Sequence, residues 1–163
     1  MKLIPRLTIG LPVEPAFLAM AIASGLHAVE EYLYPGGFLR WLRSVFPRSA
    51  PRSVDAIIIN GAFFCLVLSP LFSNAQRSPI FSLSIAGLLL ANGALHVAGT
   101  LVTRHYSPGT VTSVFCYFPA SIYSLLTIAP KWHMGVPQVI GAISLGVLWQ
   151  LLPLGVMARR SWR

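Results

Sequence analysis

Five apolar runs, each about as long as a membrane is thick, decide what this chain can fold into. They cover residues 16–34, 54–73, 80–103, 110–129 and 136–158. A helix needs roughly 20 apolar residues to cross about 30 Å of hydrocarbon. Lipid offers no partner to exposed backbone groups, so each run must close its hydrogen bonds within itself. The expected fold is all-α: an integral membrane helical bundle of about five transmembrane helices, forming one domain over residues 1–163. The runs take up most of the chain and leave no room for a separate soluble domain. Charged residues make up 10% of the chain, against about 25% in average soluble proteins.

The segments between the runs are equally informative. Pro35-Gly36-Gly37 stops the first run. Residues 37–46 mix apolar side chains with Arg40 and Arg43, the pattern of a short helix lying in the membrane interface. Ser53 is placed to cap the second span, and Asp55 falls in its first turn, where a carboxylate suits the helix dipole. Pro119 lies inside the fourth run, where it should kink the helix and free a carbonyl near Phe115. Cys65 and Cys116 fall at different depths, which argues against a disulfide.

Lys2 and Arg6 ahead of an apolar run, with Ala21-Ile22-Ala23 behind, have some features of a signal peptide. Pro12, Glu14 and Pro15 interrupt what would be its apolar core, so an uncleaved first span is expected.

The net charge is +8, carried by 12 Lys and Arg that flank the runs. With no basic domain to hold it, this charge reads as a topology signal, and no nucleic acid partner is expected. Arg40, Arg43, Arg48, Arg52, Arg104, Arg159, Arg160 and Arg163 share one side; Lys2, Arg6, Arg77 and Lys131 share the other. The positive-inside rule then puts the first loop and the C-terminus in the cytoplasm. The expected localisation is the cytoplasmic (inner) membrane, as a multi-pass protein with membrane lipids as partners.

Within the first run lies His27-Ala28-Val29-Glu30-Glu31, which holds two of the four acidic residues of the chain. Ionisable groups are costly inside a span, so they mark a functional site by default. At about 1.5 Å per residue, His27 and His96 each lie roughly 10 Å below the first-loop surface. Asn60 and Gln150 fall at about 9 and 12 Å by the same count, and Tyr117 in the same layer. On the first span Ala23, Ser24, His27, Glu30, Glu31 and Tyr34 share a face; on the third, Asn92, His96, Gly99, Thr100 and Thr103 do. The two stripes are expected to face each other.

Three states could relieve the paired carboxylates: protonation of one, pairing with histidine, or a divalent cation. His27 with Glu30 or Glu31 converges at helical spacing, and His96 would add a ligand, a donor set suited to Zn, Fe or Mn. The order H-x-x-E-E is neither the H-E-x-x-H zinc motif nor its inverse. Tyr106-Ser107-Pro108-Gly109 forces a tight turn at the mouth of the site and would hold Tyr106 at the interface, free to donate to a substrate head group. His105 is an accessory candidate; His133 lies on the opposite side.

These residues together resemble the HXXEE family of small bacterial integral membrane proteins, characterised by H-x-x-E-E (here His27, Glu30, Glu31), a further histidine (His96, with His105 as competitor) and Y-x-P-G (Tyr106 to Gly109). The resemblance implies a multi-pass membrane protein regarded as an enzyme with no settled reaction. The reading favoured here is a metal-dependent enzyme of hydrolase type acting on a lipid-like or amphiphilic small molecule. His27, His96 and one of Glu30 and Glu31 would bind the ion, the other glutamate would be general base or acid, and Asn60, Asn92, Tyr106, Tyr117 and Gln150 would line the substrate pocket. Oxidation or metal-free acid–base chemistry stays open. The alternatives are a proton- or cation-coupled transporter or channel, and a non-catalytic subunit with a buried ion-pair network.

Overall fold

The computed structural model describes residues 14–48 and 50–161, and every regular element among them is helical. Lys2, Arg6, Pro12 and Arg163 lie outside the described residues, as do the side chains of Arg159 and Arg160. Six helices follow in order: α1 (Pro15–Leu33), α2 (Gly37–Val45), α3 (Ser53–Phe72), α4 (Pro79–Thr103), α5 (Thr110–Lys131) and α6 (Val136–Ser161). Among the described residues, α3, α4, α5 and α6 are long and apolar enough to cross a membrane. The expected first span, α1, has 19 residues and packs inside the same bundle. It falls outside that set because His27, Glu30 and Glu31 lower its apolar character.

Helix α4 is the central element and touches α1, α3, α5 and α6. It is therefore buried nearly all round over residues 82–89. Its closest partner is α6, because small residues let the backbones meet. A Cβ placed on Gly146 would come within 2.3 Å of Leu88 N and Ser84 O, and one on Gly87 within 2.7 Å of Ile143 O. Gly146→Ala is thus expected to force the helices apart and to lower stability by about 1–3 kcal/mol. Gly141→Ala, whose Cβ would meet nothing within 4 Å, should leave the thermal unfolding temperature unchanged.

Large apolar side chains that the bundle does not bury, such as Ile57, Ile58, Phe72 and Leu126, form the surface that lipid covers. At the end away from the first loop, Phe17, Met20, Leu83, Leu89 and Ile128 close the interior. Glu14 and Lys131 pair there at 2.6 Å, tying α1 to α5.

Local details differ slightly from expectation. Arg52, rather than Ser53, occupies the N-cap of α3; Asp55 accepts from the Arg52 backbone N–H at 3.2 Å and from its guanidinium at 3.3 Å. Pro119 has no N–H for the carbonyl of Phe115, and α5 absorbs the mismatch as a π turn over Ser113–Tyr117 just before it. Cys65 and Cys116 are free.

Candidate functional site

His27 and Glu31 lie one turn apart on α1, and His96 faces them from α4. The imidazoles of His27 and His96 meet edge to face, with centroids 4.7 Å apart. Both turn Nε2 toward one oxygen of Glu31: His96 Nε2 lies 3.2 Å from Oε1, and His27 Nε2 lies 3.7 Å from it. Both histidines are buried, His27 being 3% and His96 4% exposed. Tyr117, brought inward at the end of the π turn, stacks on His27 at 4.2 Å. Phe38 of α2 covers His96 at 4.7 Å.

The two glutamates do different things. Glu30, expected as a metal ligand or as the general base, lies outside the His–Glu–His group. Its carboxylate is taken up by the turn before α5: it accepts from Gly109 N at 2.8 Å, Val111 N at 3.3 Å, Thr112 N at 2.8 Å, Thr112 Oγ1 at 2.6 Å and the Tyr106 hydroxyl. A helix N-terminus leaves its first N–H groups without partners and favours a negative charge there. Gly109, at the cap position of α5, has no side chain to supply one, so Glu30 does so from the neighbouring helix. Tyr106 correspondingly points to Glu30 rather than to the cavity where a substrate contact was expected. Burial, and then the Glu30 carboxylate, hold its phenol protonated, with the pKa pushed up to about 12.

The same contacts set the tautomer of His27. Thr112 donates its hydroxyl proton to Glu30, so its oxygen accepts from His27 Nδ1–H at 2.9 Å. Nδ1 then carries the proton, and Nε2 is a bare, buried nitrogen without a hydrogen-bond partner. His96 Nδ1 lies 3.3 Å from Ser107 Oγ. A metal-binding histidine typically has its second nitrogen held in this way.

One nitrogen from each histidine and one Glu31 oxygen lie within 4.8 Å of one another, a grouping able to hold a metal ion. The contacts of 3.2 and 3.7 Å suit shared ligation through bonds of about 2.0–2.2 Å. Two nitrogens and one oxygen match Zn, Fe or Mn.

The group borders a cavity of 430 Å³ with largely apolar walls. Of the expected pocket residues, Asn60, Asn92, Tyr117 and Gln150 line it. Asn60 donates to Tyr32 Oη at 2.7 Å, and Asn92 to Gln150 Oε1 at 3.4 Å. His105 is exposed, its ring turned to the carbonyl of Thr103 at 2.7 Å, so His96 is the second histidine of the site.

Thr112, Ser107 and Phe38 were not anticipated. The glycine cap of α5 was the available clue: a helix beginning without its own acceptor calls for one from elsewhere.

Among curated proteins and solved structures, none matches this chain. A family model described as "protein of unknown function with HXXEE motif" matches residues 18–124, a range that includes His27, Glu30, Glu31, His96 and the Tyr106–Gly109 turn. That is more than half of the sequence, and the chain belongs to the HXXEE family.

Proposed function

We propose that this chain is a membrane-embedded, metal-dependent enzyme that hydrolyses a lipid-like or amphiphilic substrate. One observation carries the reading: a three-donor His–Glu–His set beside a large apolar cavity. Structural zinc sites usually close all four positions with protein, whereas catalytic sites keep one for water or substrate. A divalent ion here would supply Lewis acidity toward a substrate oxygen. The remaining work falls to the chain. His27 and His96 hold their Nε2 atoms inward, fixed by Thr112 and Ser107. Glu31 is the carboxylate on the cavity wall among the described residues, and it would be the third donor to the ion, beside the position left open for water or substrate. Glu30 positions His27 through Thr112. The apolar walls exclude bulk water and hold the substrate's hydrocarbon.

A proton- or cation-coupled transporter would need polar groups on both sides of the site. The far half buries serines but no ionisable group among the described residues; Ser82 and Ser124 spend their hydroxyls on backbone carbonyls, and the Ser121 hydroxyl has no hydrogen-bond partner. The basic loops favour a cavity that opens toward the cytoplasm.

Metal analysis of purified protein supplied with Zn, Fe or Mn tests the proposal. Wild type is expected to retain one ion per chain, and Glu31→Ala and His96→Ala none. Turnover of a lipid extract should vanish in both variants. Wild type without metal in every preparation would overturn metal dependence.

A further inference from the structure

A second cleft, of 320 Å³, lies on the other side of α2. Its inner end is the wall of the first cavity: Glu31, Phe38, Leu42 and Asn60 line both. Its outer end is formed by Gly36 and Ser53, at the first-loop end of the bundle. The second cleft therefore runs beneath the amphipathic helix α2, from the first-loop end of the bundle to the wall it shares with the deep cavity at Glu31.

Two arginines flank its outer end. The Arg40 stem lies across Gly36, where a Cβ would meet Arg40 Cδ at 2.7 Å and Nε at 3.1 Å. Arg43 donates to Ser53 Oγ at 3.1 Å. Neither arginine is in an ion pair among the described residues. The four carboxylates of the chain are engaged elsewhere: Glu14 with Lys131, Asp55 with Arg52, Glu30 with the α5 turn and Glu31 with the histidines. Two cations thus stand beside neutral partners, each against a residue that lines the outer end of the cleft.

We infer that the second cleft is a binding site for an anionic amphiphile, with its head group between Arg40 and Arg43 and its hydrocarbon running past Glu31 into the deep cavity. A phosphate or carboxylate at the mouth meets charge-assisted donors, and the apolar walls take the chain. Because the hydrocarbon passes Glu31, the reacting bond lies within the amphiphile and not at its charged end. The assignment of Glu31 as the reacting position rests on the enzymatic reading above; the binding site itself does not.

Equilibrium binding of dodecyl phosphate, dodecanol and inorganic phosphate to the full chain in zwitterionic lipid nanodiscs tests this. Dodecyl phosphate is expected to bind saturably and more tightly than either of the other two. Arg40→Gln/Arg43→Gln should weaken it by about tenfold or more, the loss of at least one charge-assisted hydrogen bond, while leaving dodecanol unchanged. Ala56→Trp, which fills the cleft, should abolish dodecyl phosphate binding with the thermal unfolding temperature retained. Equal affinity for dodecanol and dodecyl phosphate, wild-type affinity in the double arginine variant, or inorganic phosphate binding as tightly as dodecyl phosphate would each overturn the assignment. Metal content of the Arg40→Gln/Arg43→Gln variant separates the two readings: it should keep the metal while losing the amphiphile, neither arginine lining the deep cavity.

Discussion

Replacing Glu30 with alanine is expected to destabilise the protein by about 3 kcal/mol, whereas Glu31→Gln next to it should melt near wild type and lose the metal. The difference follows from what each carboxylate holds. Glu30 accepts five hydrogen bonds from Tyr106, Gly109, Val111 and Thr112. Hydrogen bonds to a charged acceptor contribute about 1.5–3 kcal/mol each, reduced here because Glu30 is only half-buried. Its removal leaves the first N–H groups of α5 without partners and frees Thr112 from its task on His27. Glu30→Gln should do little better, since an amide turns two donors toward a ring of donors. Glu31 contacts the two histidines alone among the contacts seen here, and glutamine keeps its volume while removing the anionic ligand. Thermal unfolding in detergent together with metal content decides the matter. A Glu30→Ala protein with wild-type stability, or Glu31→Gln protein with bound metal, would refute this division of labour.

That division is also where the sequence ran out of information. The apolar runs placed the long helices well because their ends are chemically marked: Pro79 opens α4, Pro35-Gly36-Gly37 closes α1, and residues 132–135 separate α5 from α6. Depth counting along those helices brought His27, His96, Asn60, Tyr117 and Gln150 to one layer, and all five line one cavity. Helical spacing could not choose between Glu30 and Glu31, because i+3 and i+4 both lie near His27. The choice is made by the path of the turn before α5, whose backbone N–H groups point at Glu30. Backbone donors of a turn leave no trace in hydrophobic periodicity. The second cleft was equally hidden, since it depends on how α2 leans against α3.

Gly109→Ala should cost metal affinity about 100-fold, the upper range for groups that orient metal ligands. Two features of this position act together. Its φ of 103° lies in the region that L-residues rarely adopt, and its missing Cβ would sit 2.7 Å from both His27 Cε1 and His96 Nδ1. Alanine must therefore strain the backbone and push both imidazoles off Glu31. Gly36→Ala separates the two effects. Its φ of 92° brings a comparable backbone penalty, about 1–2 kcal/mol. Its added Cβ, however, meets the flexible Arg40 side chain and not a histidine. Gly36→Ala should thus lower the unfolding temperature with metal affinity intact, and Gly109→Ala should lower both. Equal metal affinity in the two variants would mean that Gly109 serves only the turn. A selective loss in Gly109→Ala would explain why a glycine must close the Tyr-x-Pro-Gly turn: the two histidines of the site pack where its side chain would be.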